Sequence, residues 1–499
     1  MSEATILGID QGTTGTRAVV MNSFGRVEAS HYLKHRQIMP ELGDGSRGVE
    51  HDPEEIWNNT ARVIESVISD RKIVAVGIAN QGESSLLWNR KTGAPLHNAL
   101  VWQDRRTQRW MDELKTDSNL RKKVSEKTGL HLDAYFSASK IRWLLDHAKG
   151  ARELLRDGNL CAGTFDTWLI YKLTGGKSFV TDPSTASRTL LYNIHEKKFD
   201  PELLELFGVP EGILAEVLDG GFGTVSAIPK IDGVPIAASL VDQAGAVFGQ
   251  GCLHPGDVKA TYGTGCFVYM NCGTEPSLNK NGILSTIAWS RNHRFTYALD
   301  GGIFAAGSVL EYLSGKLGLL KDMSDLDRIL REVPSTGSVV CVPAFAGLAS
   351  PYWKRNARAA FLGLDLATSK SVLIRAALEG VASRVAQVIR AMKQSSSFEI
   401  NRIRVDGGMV RSDEFVQIQA DFLGIPIEVP ENREATVMGV CYLAARFSGL
   451  WKSDEDVLKS VRVSRIFQPK LNAHSRETAL SRFDSACELV AKWEPDVVI

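Results

Sequence analysis

The sequence predicts an α/β fold built as two large domains, and three observations carry that expectation. At 499 residues the chain is far longer than one small fold, since a domain typically takes roughly 150. Strand-like runs alternate with helical patterns and polar loops through both halves. The strand, Gly/Thr turn and returning strand that open the chain recur loosely from residue 258, so the halves read as duplicates. No short fixed period exists, which excludes a solenoid or propeller. A Gly-rich stretch over residues 245–256 marks the expected boundary and divides the chain into 1–249 and 250–499.

The elements follow in order. Residues 5–9 read as a strand, 11–16 as a Gly/Thr turn, 17–21 as a second strand and 22–25 as the turn into a third. Asp52-Pro53-Glu54-Glu55 then starts a helix, because Asp caps it, Pro suits its first position and Glu accepts from free backbone N–H groups. Ile56, Trp57, Val63, Ile64, Val67 and Ile68 form its apolar face. The apolar run 73–79 is a strand buried on both sides, and it ends in the polar loop 80–83. A second apolar run, 234–241, stops at Asp242-Gln243. Strands at 258–262 and 266–270 flank Gly263-Thr264-Gly265, and runs at 296–299 and 403–405 lead into Asp300-Gly301-Gly302 and Asp406-Gly407-Gly408. From about residue 453 the chain is charged, helical in pattern and expected on the outside.

Composition narrows the function. Lys plus Arg and Asp plus Glu each number 58, so the net charge is zero and no whole-chain attraction to nucleic acid or a membrane surface exists. A small-molecule partner is expected. Seven cysteines, odd in number and never spaced C-x-x-C, suggest neither a disulfide framework nor a zinc site. The N-terminal stretch lacks the basic and apolar regions of a signal peptide, and no apolar run is long enough to span a bilayer; a cytoplasmic protein is expected.

Several residues can carry chemistry. Asp10 to Arg17 places a carboxylate at a strand end, then glycines, then hydroxyls: a turn able to offer N–H and Thr hydroxyl groups to phosphate while Asp10 holds hydrated Mg²⁺. A plain hairpin needs the same glycines. The three further glycine clusters put bare backbone at strand ends, where α/β sheets build ligand sites. Gly176-Lys177-Ser178 is no P-loop, because Tyr171 stands where the first Gly belongs. Asp242 can accept a proton, hold a metal or cap the helix that follows. Trp88, Trp110, Trp143 and Trp168 read as core, Arg105-Arg106 as a solvated face, and no histidine pair has metal-ligand spacing.

The run Tyr135-Phe136-Ser137-Ala138-Ser139-Lys140, continuing to His147, resembles the first signature of the FGGY carbohydrate kinases. Residues 10–14, 163–168, 187–189, 261–267, 343–345 and 351–353 resemble further segments, in order, of the members that act on glycerol. The resemblance covers nearly the whole chain. It implies two actin-like (ribonuclease H-like) ATPase domains around a deep cleft, with ATP and Mg²⁺ as cofactors and a small polyol as acceptor. It also implies a homodimer or homotetramer that binds neither nucleic acid nor membrane. Asp242 would be the general base, and Asp10 and Asp242 would hold Mg²⁺. Thr13, Thr14, Arg17, Thr264, Gly265, Gly307, Gly407 and Gly408 would bind the nucleotide. Gly82, Glu83, Trp102, Tyr135, Asp242, Gln243 and Phe267 stand at acceptor positions.

Two departures matter. Gly82 replaces an Arg that the family uses on glycerol, and losing such a charged donor costs about 1.5–3 kcal/mol. Either glycerol binds weakly, or a larger sugar, alditol or cyclitol uses the vacated space. The loop 408–413 lacks the Asn common in the adenosine loop of this family. A third alternative keeps the fold as a nucleotide-binding sensor or scaffold without turnover.

Overall fold

The computed structural model describes residues 3–43, 45–277 and 281–493. Its first sheet joins β1 (Ala4–Gln11), β2 (Gly15–Asn22), β3 (Val27–Lys34), β4 (Lys72–Asn80) and β5 (Ile236–Val241) in the order β5-β4-β1-β2-β3. β1, β2 and β3 pair antiparallel, and β4 and β5 add parallel strands on the other side. Asp52 caps α1 (Pro53–Ile68) through the N–H groups of Glu54 and Glu55, as its sequence dictates. Between β4 and β5 the chain builds α2 (Ser137–His147) and three strands of a smaller four-stranded sheet whose fourth strand, Glu50–His51, precedes α1, and α3 (Asp242–Gly249) leaves directly from the end of β5.

The second sheet repeats the first. It joins β6 (Val258–Tyr262), β7 (Cys266–Gly273), β8 (Leu284–Arg291), β9 (Arg294–Ile303), β10 (Ile403–Gly407), β11 (Ile427–Pro430) and β12 (Val463–Phe467). The order is β8-β9-β7-β6-β10-β11-β12, and its inner five strands reproduce three antiparallel and two parallel neighbours. The repeat inferred from two turn motifs is thus a repeat of topology. Three further helices place the site: α4 (Gly307–Gly315), α5 (Lys370–Ser395) and α6 (Ala435–Phe447).

Glycine sets how the halves meet. α3 and α6 touch backbone to backbone, because a Cβ on Gly249 would strike the Ala435 carbonyl and one on Gly439 would strike the Gly245 carbonyl. α6 also lies against the first sheet, where a Cβ on Gly8 would strike Cys441 and one on Gly77 the Val440 carbonyl. Neither approach is open to a larger residue.

Some expectations need correction. Asp300-Gly301-Gly302 is not a turn but part of β9; its glycines admit α5 and Phe267, since a Cβ on Gly301 would lie 2.5 Å from Val388 Cγ1. The tail is not purely helical, because β12 closes the second sheet before the last helix, Ala473–Lys492. Trp88 and Trp168 are core, whereas Trp110 and Trp143 are only half-buried. All seven cysteines are buried and unpaired. Among the described residues no helix is long and apolar enough to cross a membrane.

Gly439→Val should therefore destabilise the protein by about 3 kcal/mol, at the upper end of overpacking costs. A thermal unfolding curve checks this, and an unchanged midpoint would remove the α3–α6 contact as a constraint.

Candidate functional site

The site forms where the carboxyl ends of β1, β4 and β5 face the turns of the second sheet. β1 delivers Asp10, and β5 delivers Asp242 as the first residue of α3. Asp242 is not the cap of that helix: Val241 holds the cap position, and among the described residues the carboxylate accepts only the neighbouring Gln243 N–H, at 2.6 Å. Burial, then the charge of Glu83, lifts Asp242 to about 7. Asp10 is also lifted to about 7, first by burial and then by Asp242 and Glu434. Two carboxylates thus share one poorly solvated region in which nearby negative charge, Asp242 and Glu434 for Asp10 and Glu83 for Asp242, disfavours ionisation.

The turn after β1 is tied down from several sides. Gly12 N–H donates to the Gly15 carbonyl at 3.0 Å, and His35 Nε2 bonds the Thr13 carbonyl at 2.9 Å. Thr14 Oγ1 lies 3.1 Å from the Tyr32 hydroxyl. Arg17 is held by Glu434, Nε to Oε2 3.1 Å, and lies over the Tyr32 ring. Trp102 Nε1–H donates to Thr13 Oγ1 at 2.9 Å, which links this turn to the residues expected around the acceptor.

Those residues gather around a buried arginine that sequence reasoning matched but gave no role. Arg188 Nε donates to Glu83 Oε1 at 2.7 Å, and its Nη1 lies 3.0 Å from Asp300 Oδ2. The guanidinium lies over Phe136 and Tyr135, with centroid distances of 5.2 and 5.9 Å. Tyr135 packs edge-on to Trp102 at 5.5 Å. Lys140 Nζ spends its three donors on the carbonyls of Ala134, Tyr135 and Phe136, at 2.7–2.8 Å, and so fixes the backbone that presents Tyr135. Burial lowers that ammonium to about 7. Phe267 enters from β7 against Gly302, and Gln243 takes a short hydrogen bond from the buried Lys259. Between Tyr135, Arg188 and Phe267 lies a cavity of about 50 Å³, room for a few water molecules.

Gly82 does not open that cavity. A Cβ there would lie 2.5 Å from Val241 Cγ2 and 3.7 Å from Arg188 Cγ. The expectation that a larger acceptor uses space vacated at position 82 is corrected, because Val241 fills it. A guanidinium still reaches Glu83, from Arg188.

On the facing side, the turn Gly263-Thr264-Gly265 meets the start of α4. Gly307 N–H donates to the Gly263 carbonyl at 2.9 Å, and Ser308 Oγ to the Thr264 carbonyl at 3.0 Å. A Cβ on Gly265 would strike the Ile303 carbonyl, and one on Gly307 would lie 2.5 Å from Gly263 O, so both must stay bare. Gly407, at φ +99°, pairs with Tyr262 beside this turn. Gly408 faces open space and lines a cavity of about 370 Å³ with Leu310, Met323, Asp327, Arg411 and Phe415. Ser412 donates to Asp327 in this loop, where the family's Asn is missing.

Arg105-Arg106 is not a solvated face. Arg106 is almost wholly buried, with Nη2 2.7 Å from Glu50 and 2.9 Å from Asp104, and Arg105 Nη1 is 2.9 Å from Asp133. Among the described residues no group of three or more His, Cys, Asp or Glu forms a metal cage.

The family model described as "FGGY family of carbohydrate kinases, N-terminal domain" matches residues 5–249, and its C-terminal counterpart matches 258–447. The chain is 43% identical to the glycerol kinase of Carboxydothermus hydrogenoformans, over 99% of each chain. It is 40% identical to glycerol kinase 2 of Thermotoga maritima, over 98% of this chain and 99% of that protein. The structure of Plasmodium falciparum glycerol kinase with ADP superposes with a TM-score of 0.92 at 32% identity, covering 98% of both chains.

Gly82→Ala should weaken acceptor turnover by forcing Val241 aside, and adding Val241→Ala should restore most of it. A double-mutant cycle on acceptor KM measures this coupling; additive effects would mean that the two positions act separately.

Proposed function

The chain belongs to the FGGY family of carbohydrate kinases, and on that premise we propose that it transfers the γ-phosphoryl group of ATP to a hydroxyl of glycerol. Membership makes it a phosphotransferase and sets aside a silent nucleotide-binding scaffold. The observation that carries the acceptor reading is a cavity of only about 50 Å³ lined by Tyr135, Arg188, Phe267 and Asp300, with Glu83 bonded to Arg188 and Trp102 packed on Tyr135 behind that lining. Val241 occupies the one position at which extra room was expected. The relatives named glycerol kinase, at 40–43% identity over nearly the full chain, support the same reading.

In this mechanism Asp242 accepts the proton of the attacking hydroxyl. Its carboxyl, lifted to about 7, suits proton uptake near neutral pH. Glu83 and Arg188 orient the acceptor's other hydroxyls; the carboxylate accepts and the guanidinium donates. Trp102 and Phe267 cover its carbon atoms. Thr13, Thr14 and the N–H groups of their turn face the transferred phosphoryl group, with Arg17 beside them. Thr264, Gly265 and Gly307 meet the remaining phosphates, because glycine there lets backbone approach closely. Gly407 and Gly408 flank the cavity of about 370 Å³ that receives the nucleoside.

Asp10 and Asp242 fit Mg²⁺, which takes one or two carboxylates and keeps several waters. Both carboxyls are raised to about 7 in the absence of a cation, and a divalent ion would reverse that shift in each. Bound Mg²⁺ supplies charge neutralisation to the phosphates. The chain's own part is positioning, exclusion of water and proton acceptance.

Asp242→Asn should lower kcat by about 10²–10⁴-fold while ATP affinity stays within a factor of a few; near-normal turnover would overturn the assignment of the base. Because Asp242 works ionised, kcat/KM should be full above its pKa and fall as pH drops through about 7. Asp10 titrates in the same range, so the fall belongs to the pair. Added Mg²⁺ should move the midpoint to lower pH, and a pH–rate profile at two Mg²⁺ concentrations checks the sign.

A further inference from the structure

A cavity of about 520 Å³ lies at the junction of the halves, next to the acceptor cavity, with which it shares Asp133, Trp353 and Arg355. Lys115, Arg121 and Asp133 line it from the first half, and Trp353, Lys354 and Arg355 from the second. Among the described residues its charges do not balance. Asp133 is the single carboxylate on which three cations converge: Arg105 at 2.9 Å, Lys115 at 3.6 Å and Arg355 in a close ion pair. Lys115 also meets Asp112, at 2.9 Å. Among the described residues neither Arg121 nor Lys354 has an ion-pair partner. Among the described residues four cations therefore line the cavity against the two carboxylates of Asp112 and Asp133.

We propose that this cavity binds a phosphate dianion, free or carried by a small phosphomonoester, and that its occupation favours the closed cleft. A dianion offsets the two uncompensated charges, and guanidinium and ammonium groups are the donors that phosphate recognition uses. The indole of Trp353, fixed by its Nε1–H to the Gly282 carbonyl at 2.7 Å, gives a flat apolar wall for a carbon skeleton. Coupling to closure follows from the origin of the two unpaired cations. Arg121 and Lys354 come from opposite halves, so an anion meets both only when the halves are together. Arg355 already spans that junction, through Asp133 and through Gln108 Oε1 at 2.7 Å. Asp133 also accepts the Tyr135 backbone N–H, at 2.9 Å, which carries the coupling to the acceptor ring. The assignment is independent of which acceptor is phosphorylated.

Inorganic phosphate is the probe. Calorimetric titration into the full chain, saturated with a non-hydrolysable ATP analogue and Mg²⁺ at ionic strength fixed with chloride, should show one equivalent bound. Arg121→Ser with Lys354→Ser should weaken that binding at least tenfold. Both side chains lie far out on the surface, so kcat without phosphate should be unchanged. Closure linkage requires phosphate to bind the analogue-saturated chain more tightly than the free chain, by the factor with which phosphate tightens the analogue. A small polyol phosphate that binds more tightly than inorganic phosphate would identify an ester as the ligand. Absence of saturable binding, or equal affinity in the double variant, would overturn the site; equal affinity with and without the analogue would overturn the coupling.

Discussion

The approach of α3 to α6 is the contact on which the rest of the site depends. Two helices whose backbones touch through Gly245, Gly249 and Gly439 leave no side-chain layer to take up misalignment. α3 begins at Asp242, and α6 begins one residue after Glu434, so the contact brings two carboxylates toward the end of β1. Asp10 feels both of them. The same helix α6 rests on Gly8 and Gly77 of the first sheet, so the strand that carries Asp10 and the helix that carries Glu434 are set by one packing arrangement. A side chain at any of these glycines would move a charge in the candidate site.

Electrostatics then divides the site in two. Asp10 and Asp242 are short of positive charge: burial raises both carboxyls, with Asp242 and Glu434 acting further on Asp10 and Glu83 on Asp242. Around Arg188 one buried guanidinium serves two carboxylates. Arg188 stands between Glu83 and Asp300, fully buried, and joins the insertion of the first half to β9 of the second. A buried ion triad of this kind adds little net stability over an apolar replacement, yet loss of one member leaves uncompensated charge costing about 3–5 kcal/mol. It therefore specifies a geometry more than it strengthens the fold.

Much of this was legible in the sequence, and the parts that were not share a cause. Strand ends could be read because an apolar run stops at a carboxylate or a glycine, as at Asp10, Asp242 and Gly407. The cap of α1 could be read because its chemistry is confined to four consecutive residues. Arg188 could not be assigned: its partners lie 105 and 112 positions away, and no local spacing encodes that pairing. Arg105-Arg106 reads as solvated for a similar reason: Asp104 is a local partner of Arg106, but Glu50 and Asp133, which complete the buried pairs, are distant in sequence. Asp300-Gly301-Gly302 misled because Gly signals a turn locally, whereas here it answers a crowding neighbour on α5. The missing signal in each case is the identity of the opposing element.

Position 82 shows how far a single departure can be interpreted without that neighbour. Judged alone, glycine in place of arginine removes a donor and leaves a hole. With Val241 in view the hole is closed, and with Arg188 in view a guanidinium still contacts Glu83. The three positions behave as one unit, in which a branched side chain from β5 takes the volume and an arginine from a distant segment keeps the charge. A pocket can hold its size and polarity while the residues that provide them change place, so specificity here belongs to the set and not to Gly82.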